Sequence, residues 1–358
     1  MRTVSQCFFS RKEIGMKKRV TYPFAAIVGQ EEMKTALLLS IVMPSLGGVL
    51  IKGEKGTAKS TAVRAAAALL PDLDAVCGCA CHCDPASPER YCDACRSKQQ
   101  ENALLPTEKI PMRVVELPVS ATEDRVVGTL DMEMAIHCGR KEFEPGILAA
   151  ANRNILYVDE INLLEDHIVD ILLDSAAMGV NTVEREGISY AHPARFVLVG
   201  TMNPEEGDIR PQLLDRFALS VTVVGEREEK MRVEVIRRRI AYERDPEAFT
   251  AAYADAQERL RTQILEARVR VPHVTVPDAV LDYAAQISLA LGVDGHRADI
   301  TLIKAGIAHA ALAGRNTVTT EDLQRVSRLV LAHRMRRRPF EEGPVDWSAV
   351  DAILGESA

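Results

Sequence analysis

Gly53-Glu54-Lys55-Gly56-Thr57-Ala58-Lys59-Ser60-Thr61 follows a short aliphatic run and opens an alanine-rich stretch. A glycine-containing turn between a strand and a helix lets successive backbone N–H groups curl around phosphate. The helix N-terminus adds partial positive charge. In that setting Lys59 reaches the β- and γ-phosphates of ATP, and the Ser60 hydroxyl binds Mg2+. Ala58 departs from the phosphate-loop pattern, which has glycine there. The competing reading is an ordinary strand-to-helix turn, and Lys59-Ser60 at the right offset argues against it.

Ile155-Leu156-Tyr157-Val158 is an aliphatic strand pattern ending in Asp159-Glu160. Asp159 at the strand tip suits the Mg2+ shell, and Glu160 suits a general base that polarises the attacking water. The next strand pattern runs into Asn203-Pro204, an amide placed to orient that water or touch the γ-phosphate. On its own Asn203 reads equally as a turn residue before proline. Arg216, in Leu214-Asp215-Arg216-Phe217, is a candidate arginine finger, and Arg297 starts a later helix from which it would report nucleotide state. Each of these arginines also has a plain reading as a surface ion pair or a solvated helix end.

Five aliphatic runs read as buried strands of a parallel sheet: 48–52, 113–116, 155–158, 196–199 and 219–224. Helical patterns over 59–70 and 163–178 alternate with them, which implies an α/β fold with crossover helices. After Gly225 the pattern turns helical, over 226–240, 249–267, 277–291, 297–313 and 320–336. Thr319-Thr320-Glu321-Asp322 carries a helix-start signal. The division expected is an N-terminal extension (1–21, flexible), an α/β ATPase domain (22–225) with a cysteine-rich insertion (77–95), a helical linker (226–272) and a helical lid (273–358). Translation from Met16 rather than Met1 is an open alternative.

The 358 residues include 47% hydrophobic but only 4% aromatic side chains, so aliphatic groups and alanine must fill the cores. Few aromatics argue against base stacking, and a net charge of −7 argues against a global basic field for nucleic acid. Mean hydropathy is near zero, and the longest apolar stretch, 37–51, is interrupted by Pro44, Gly47 and Gly48. No membrane span and no signal-peptide core is expected, and a cytoplasmic location follows as the default. The basic run Arg334–Arg338 reads as a solvated helix end, and none of the scattered histidines is expected to ligate metal.

The motifs in this order resemble the AAA+ ATPases, and more closely the I-subunit family of magnesium chelatase. The likeness is carried by Pro23–Gln30, Lys52–Thr61, Val115–Pro118, Thr122–Asp131, Pro145–Ala149, Tyr157–Leu164, Gly200–Gly207, Leu213–Phe217 and Gly295–Ile300. Thr122–Asp131 and Gly295–Ile300 are the most specific of these. The resemblance implies an AAA+ P-loop core with a five-stranded parallel sheet and a helical lid. It also implies an adenine pocket at Ile27, Val28 and Gly29, Asn203 as sensor 1, Arg216 as a finger acting in trans, and Arg297 as sensor 2. Extra hairpins are implied near 133–143 and 183–192. The family forms ATP-dependent rings, usually hexamers, that work with D and H subunits to insert Mg2+ into protoporphyrin IX. No residue here is assigned to the porphyrin. Cobalt-chelatase motors and MoxR-type remodelling ATPases are the alternatives.

Cys79 and Cys83 are separated by three residues, and Cys92 and Cys95 by two. Both gaps fit zinc ligation, and reduced thiols are expected in a cytoplasmic protein. A loop of free thiols and a redox switch are the other readings of the same cluster.

Overall fold

Aliphatic runs of four to six residues bounded by turn residues have the length of buried strands. In the computed structural model, which describes residues 20–101, 104–130, 143–185, 188–293 and 295–335, they form β1 (Val49–Gly53), β2 (Val114–Leu117), β3 (Ile155–Val158), β4 (Val197–Met202) and β5 (Leu219–Val223). They pair in parallel in the order β5-β1-β4-β3-β2, with Val49 in register with both Val199 and Leu219. The expected five-stranded parallel sheet is therefore present.

Both faces of the sheet are covered, and strand alternation sorts the side chains between them. Val49, Ile51, Tyr157 and Val199 face one core, which includes α1 (Glu31–Val42) and α2 (Lys59–Ala67). Leu50, Leu156, Val158 and Leu198 face the other, built on α3 (Asp166–Met178). The chain leaves β1 for β2 at the far edge and later returns to both neighbours of β1. That reversal opens a crevice at the carboxyl end of β1, where α/β sheets place ligands.

Beyond β5 lie α4 (Glu229–Arg244), α5 (Pro246–Ala252), α6 (Ala254–Arg270), α7 (Asp278–Ala290), α8 (Arg297–Leu312) and α9 (Thr320–Leu331). Ile264, Ala267, Ile287, Leu302 and Leu323 join the core that holds α1, so these helices dock on the sheet's helical flank. Gly306 allows α8 to approach α9, because a β-carbon there would lie 2.6 Å from Leu323 Cδ2. Thr319 and Asp322 form the reciprocal capping box that the helix-start signal suggested. Among the described residues no helix is long and apolar enough to cross a membrane.

Several sequence expectations are corrected. The single helix over 249–267 is two helices, broken at Tyr253, whose backbone leaves helical geometry (φ −103°, ψ 4°). Tyr253 stacks near Phe249, which also packs on Tyr22 and Tyr242, so an aromatic cluster fixes the break. The helix over 163–178 starts at Asp166, after a short 3-10 turn at Ile161–Leu163. The one over 226–240 is displaced to Glu229–Arg244, and those over 59–70 and 320–336 end at Ala67 and Leu331. Arg334 is not solvated: it is buried and donates to the carbonyls of Ala218 and Asp215 at 3.1 and 3.0 Å. The hairpin expected at 183–192 is formed by Val180–Arg185 and Ile188–Pro193. Residues 131–142, where most of the other hairpin was expected, lie outside the described residues, although Gly128–Leu130 and Phe143–Pro145 pair antiparallel beside them.

Candidate active site

The turn after β1 is shaped by its backbone. Gly53 leaves the strand at φ +155°, and a β-carbon there would lie 2.2 Å from the Val223 carbonyl oxygen, so glycine is required. Gly56 adopts φ +85°. Ala58 sits in the left-handed region (φ 61°, ψ 20°) as the N-cap of α2. The methyl group thus accepts the conformation for which the usual glycine is suited, at a cost of about 1 kcal/mol.

Lys59 opens α2 and folds back over the turn, where its ammonium donates to the carbonyl oxygens of Gly53 and, at 2.9 Å, Glu54. Burial lowers its pKa, against the opposing pull of Asp159, Glu160 and Glu206. Lys55 through Thr61 line a cleft of about 740 Å³ together with Asp159, Glu160 and Asn203. Gly53 and Glu54 lie at the base of the turn and serve Lys59 through their carbonyls.

Asp159 is held by two hydroxyls. Tyr157 Oη donates to its Oδ1 at 2.9 Å and Thr201 Oγ1 donates to the same oxygen at 2.6 Å. Burial raises the Tyr157 phenol, which keeps it a donor. The Thr201 hydroxyl also accepts the backbone N–H of Glu160 at 3.3 Å. Glu160 itself is in the left-handed region (φ 54°), which turns its carboxylate toward Lys55 at 3.4 Å. Hydrogen bonds to Glu206 and then Glu160 raise the Lys55 ammonium. Asn203 is buried at the tip of β4 and accepts the Glu205 N–H at 3.4 Å.

Tyr157 and Thr201 were not singled out from sequence, where both read as strand filler. The far wall of the cleft was missed too. Arg232, Val235, Ile236 and Arg239 of α4 line it together with Ile27 and Val28. No sequence signal marked it, because Val235 and Ile236 sit on a helix that also carries Met231, Val233 and Ile240, and only the structure shows them about half-exposed at the cleft. Gly29 makes the turn beside this wall at φ +61° and does not line it.

A family model described as magnesium chelatase, subunit ChlI, matches residues 129–212, and one described as an AAA lid domain matches 281–354. The chain is 52% identical over 335 residues to the magnesium-chelatase subunit ChlI homolog of Methanocaldococcus jannaschii, covering 94% of this chain and 91% of that one. The chain belongs to the magnesium chelatase ChlI family. The 38 kDa magnesium-chelatase subunit of Rhodobacter capsulatus is 53% identical to it over 330 residues, 92% of each chain. Among solved structures, the cryo-EM-based complex between subunits BchI and BchD of magnesium chelatase includes a chain 49% identical, with TM-score 0.54, covering 94% of this chain and 100% of that one. A putative ATPase from Cytophaga hutchinsonii, 19% identical with TM-score 0.61 over 92% of this chain and 90% of that one, shares the fold alone. The AAA lid match and the five-stranded parallel sheet bear out the α/β AAA+ expectation, and the magnesium-chelatase relatives favour that reading over the cobalt-chelatase and MoxR-type alternatives.

In this ChlI-family chain the two arginines lie outside the chain's own cleft. Arg216 forms ion pairs with Asp170 and Asp174 of α3 at a partly exposed position. Arg297 donates to Asp215 Oδ2 at 3.0 Å, beside Arg216 in sequence, and is 55% exposed. Arg297, expected as sensor 2 by the resemblance, contacts the Asp215-Arg216 segment and does not line the cleft. Cys79, Cys83, Cys92 and Cys95 do converge, with all four sulfurs within 4.8 Å of one another.

Proposed function

We propose that the chain is the ATP-hydrolysing motor subunit of magnesium chelatase, coupling hydrolysis to Mg2+ insertion into protoporphyrin IX in chlorophyll or bacteriochlorophyll biosynthesis. The observation that carries this reading is the gathering of Lys59, Ser60, Asp159, Glu160 and Asn203 in one cleft of a ChlI-family chain. The backbone of Lys55–Ser60 and the Lys59 ammonium bind the triphosphate, with Ile27 and Val28 against the base. Ser60 and Asp159 offer hard oxygen donors suited to the Mg2+ of MgATP, which neutralises phosphate charge. Glu160 takes the proton from water, and Asn203 orients that water.

Residues 22–225 are then the motor domain, 226–272 the linker and 273–358 the lid. Arg216 and Arg297, carried on a surface away from their own cleft, stabilise phosphate charge on a neighbouring subunit. That requires a homo-oligomeric ring, hexameric in this reading, which acts on D and H subunits in the cytoplasm. Zn2+ enters only as a structural ion, remote from hydrolysis.

The test is reconstitution with D and H subunits, offering Mg2+ or Co2+. ATP-dependent Mg2+ insertion is expected. Glu160→Gln should bind nucleotide yet lose about 10²–10⁴-fold in turnover, as expected when a general base is removed, whereas Lys59→Ala should bind poorly. Glu160→Gln and Arg216→Ala, each inactive alone, should regain ATPase activity when mixed, because one interface in a mixed ring keeps both groups. Wild-type turnover by Glu160→Gln refutes the base, insertion of Co2+ alone refutes the metal, and mixing without recovery refutes action in trans.

A further inference from the structure

Away from the cleft, after α2, the chain makes an antiparallel ribbon from Leu73–Val76 and Thr107–Ile110. The segment between these strands has almost no aliphatic core. Its buried cluster consists of Val76, Tyr91, Ala149 and the thiols of Cys81, Cys83, Cys92 and Cys95. A loop of this size cannot pin itself with so little apolar area and needs a cross-link of another kind.

The thiols have the geometry of that cross-link. Cys79, Cys83, Cys92 and Cys95 each present one sulfur, and all four sulfurs lie within 4.8 Å of one another. The Cys79–Cys92 sulfur separation is 3.8 Å. A tetrahedral Zn–thiolate centre with bonds of about 2.3 Å has sulfur–sulfur edges of about 3.8 Å. The Cys92 backbone N–H donates to the Cys83 sulfur at 3.2 Å, a contact that a thiolate accepts well. Cys92 caps the helix Asp93–Gln100 and Cys95 lies in its first turn, so the positive end of that helix faces the sulfurs. Cys77, by contrast, is exposed and outside the set.

We propose that these four cysteines bind one Zn2+ as a closed structural site, and that this site fixes the amino-terminal end of the sheet. The connection runs through the segment that enters β3. Asn152 Nδ2 donates to the Cys81 carbonyl at 2.6 Å, while its Oδ1 accepts the Arg195 N–H at 2.9 Å. Arg153, held in the left-handed region at φ +64°, donates to the carbonyls of Asp74 and His82 at 2.6 and 3.3 Å and pairs with Asp84 at 3.4 Å. The metal loop is thereby tied to the approaches of β3 and β4. The nucleotide cleft opens at the opposite, carboxyl ends of these strands, so the site stands independently of the ATPase reading.

The test uses the full chain purified anaerobically from medium containing zinc and iron, with metal content measured by mass spectrometry. About one zinc per chain is expected. Cys83→Ser and Cys95→Ser should lose it, and the exposed Cys77→Ser should keep it. Because loss of a buried ligand can also impair folding, the wild-type protein is titrated with a thiol-directed mercurial as well. Zinc should leave as the four ligand thiols react, after the exposed Cys77, and the melting temperature should fall by several degrees as it does. Replacement by Co2+ should give the visible absorption of tetrahedral thiolate ligation. Iron with a coloured charge-transfer band, a Cys79–Cys92 disulfide in metal-free protein, zinc retained by Cys95→Ser, or zinc lost from Cys77→Ser would each overturn the proposal.

Discussion

Replacing Thr201 with valine removes one hydroxyl and leaves the shape of a fully buried side chain nearly unchanged. The hydroxyl has two jobs: it donates to Asp159 Oδ1 at 2.6 Å and accepts the Glu160 N–H at 3.3 Å. A hydrogen bond to a charged acceptor contributes about 1.5–3 kcal/mol. If that energy fixes the carboxylate in its metal-holding orientation, its loss corresponds to about a 10- to 150-fold fall in turnover at 1.4 kcal/mol per decade. Tyr157 Oη still reaches the same oxygen, which places the effect nearer the lower end. The assay is steady-state ATPase activity across a Mg2+ titration, with nucleotide affinity measured separately in chelator. Turnover and apparent Mg2+ affinity should both fall, while metal-free nucleotide binding stays as it was. An unchanged Mg2+ dependence would mean that Thr201 only fills the strand and that Asp159 needs no orientation.

Two further predictions concern stability. Ala58→Gly relieves a left-handed alanine, which should stabilise the protein by up to about 1 kcal/mol and raise the melting temperature by a few degrees. Differential scanning fluorimetry checks this, and a lowered melting point would contradict it. His333 is partly buried, and desolvation lowers its pKa to about 3, while its Nε2 meets the Phe217 carbonyl at 2.9 Å. The unfolded chain takes up that proton near the ordinary value of about 6.5, and the folded chain does not. Stability should therefore be fully present above about pH 6.5 and fall by up to about 1.4 kcal/mol per pH unit as the pH drops toward 3. Denaturant unfolding between pH 7 and pH 5 should show this slope, and His333→Gln should flatten it; an equal slope in the variant would refute the assignment.

What could be read from sequence is what local chemistry dictates. The sheet was legible because each strand is a short aliphatic run, and the phosphate turn because its glycine and lysine spacing has few other uses. Thr201 was hidden because a hydroxyl on a β-branched residue in a strand looks like packing, and only the fold sets it against Asp159. The break at Tyr253 was hidden because helical periodicity continues through it, while the aromatic cluster that enforces it includes Tyr22, far away in sequence. Arg334 looked solvated because it heads a run of arginines. Its burial depends on the docking of α9's end on β5, which no window of sequence contains.

That docking also bears on how a neighbour's nucleotide would be felt. Arg334 binds Asp215 through both the side chain and the backbone carbonyl, and Arg297 binds the other oxygen of the same carboxylate. Burial lowers the Arg334 pKa only to about 10, so it remains charged at neutral pH and Asp215 is its counter-ion. One carboxylate, next to Arg216 in sequence, thus joins the start of α8 to the end of α9. In the proposed ring, drawing Arg216 and Arg297 onto a neighbour's phosphates costs the Arg216 pairs with Asp170 and Asp174 and the Arg297–Asp215 pair, but not the Arg334–Asp215 pair. The exposed Arg297–Asp215 pair is worth at most about 1 kcal/mol, whereas the Arg334 guanidinium is itself buried and is also held by the Ala218 and Phe217 carbonyls. Arg297 can therefore exchange partners while Arg334 keeps the end of the lid fixed to β5. In that ring Asp215, next to Arg216 in sequence, would couple it to the end of α9 through Arg334, and α4 lies on the chain path between the two.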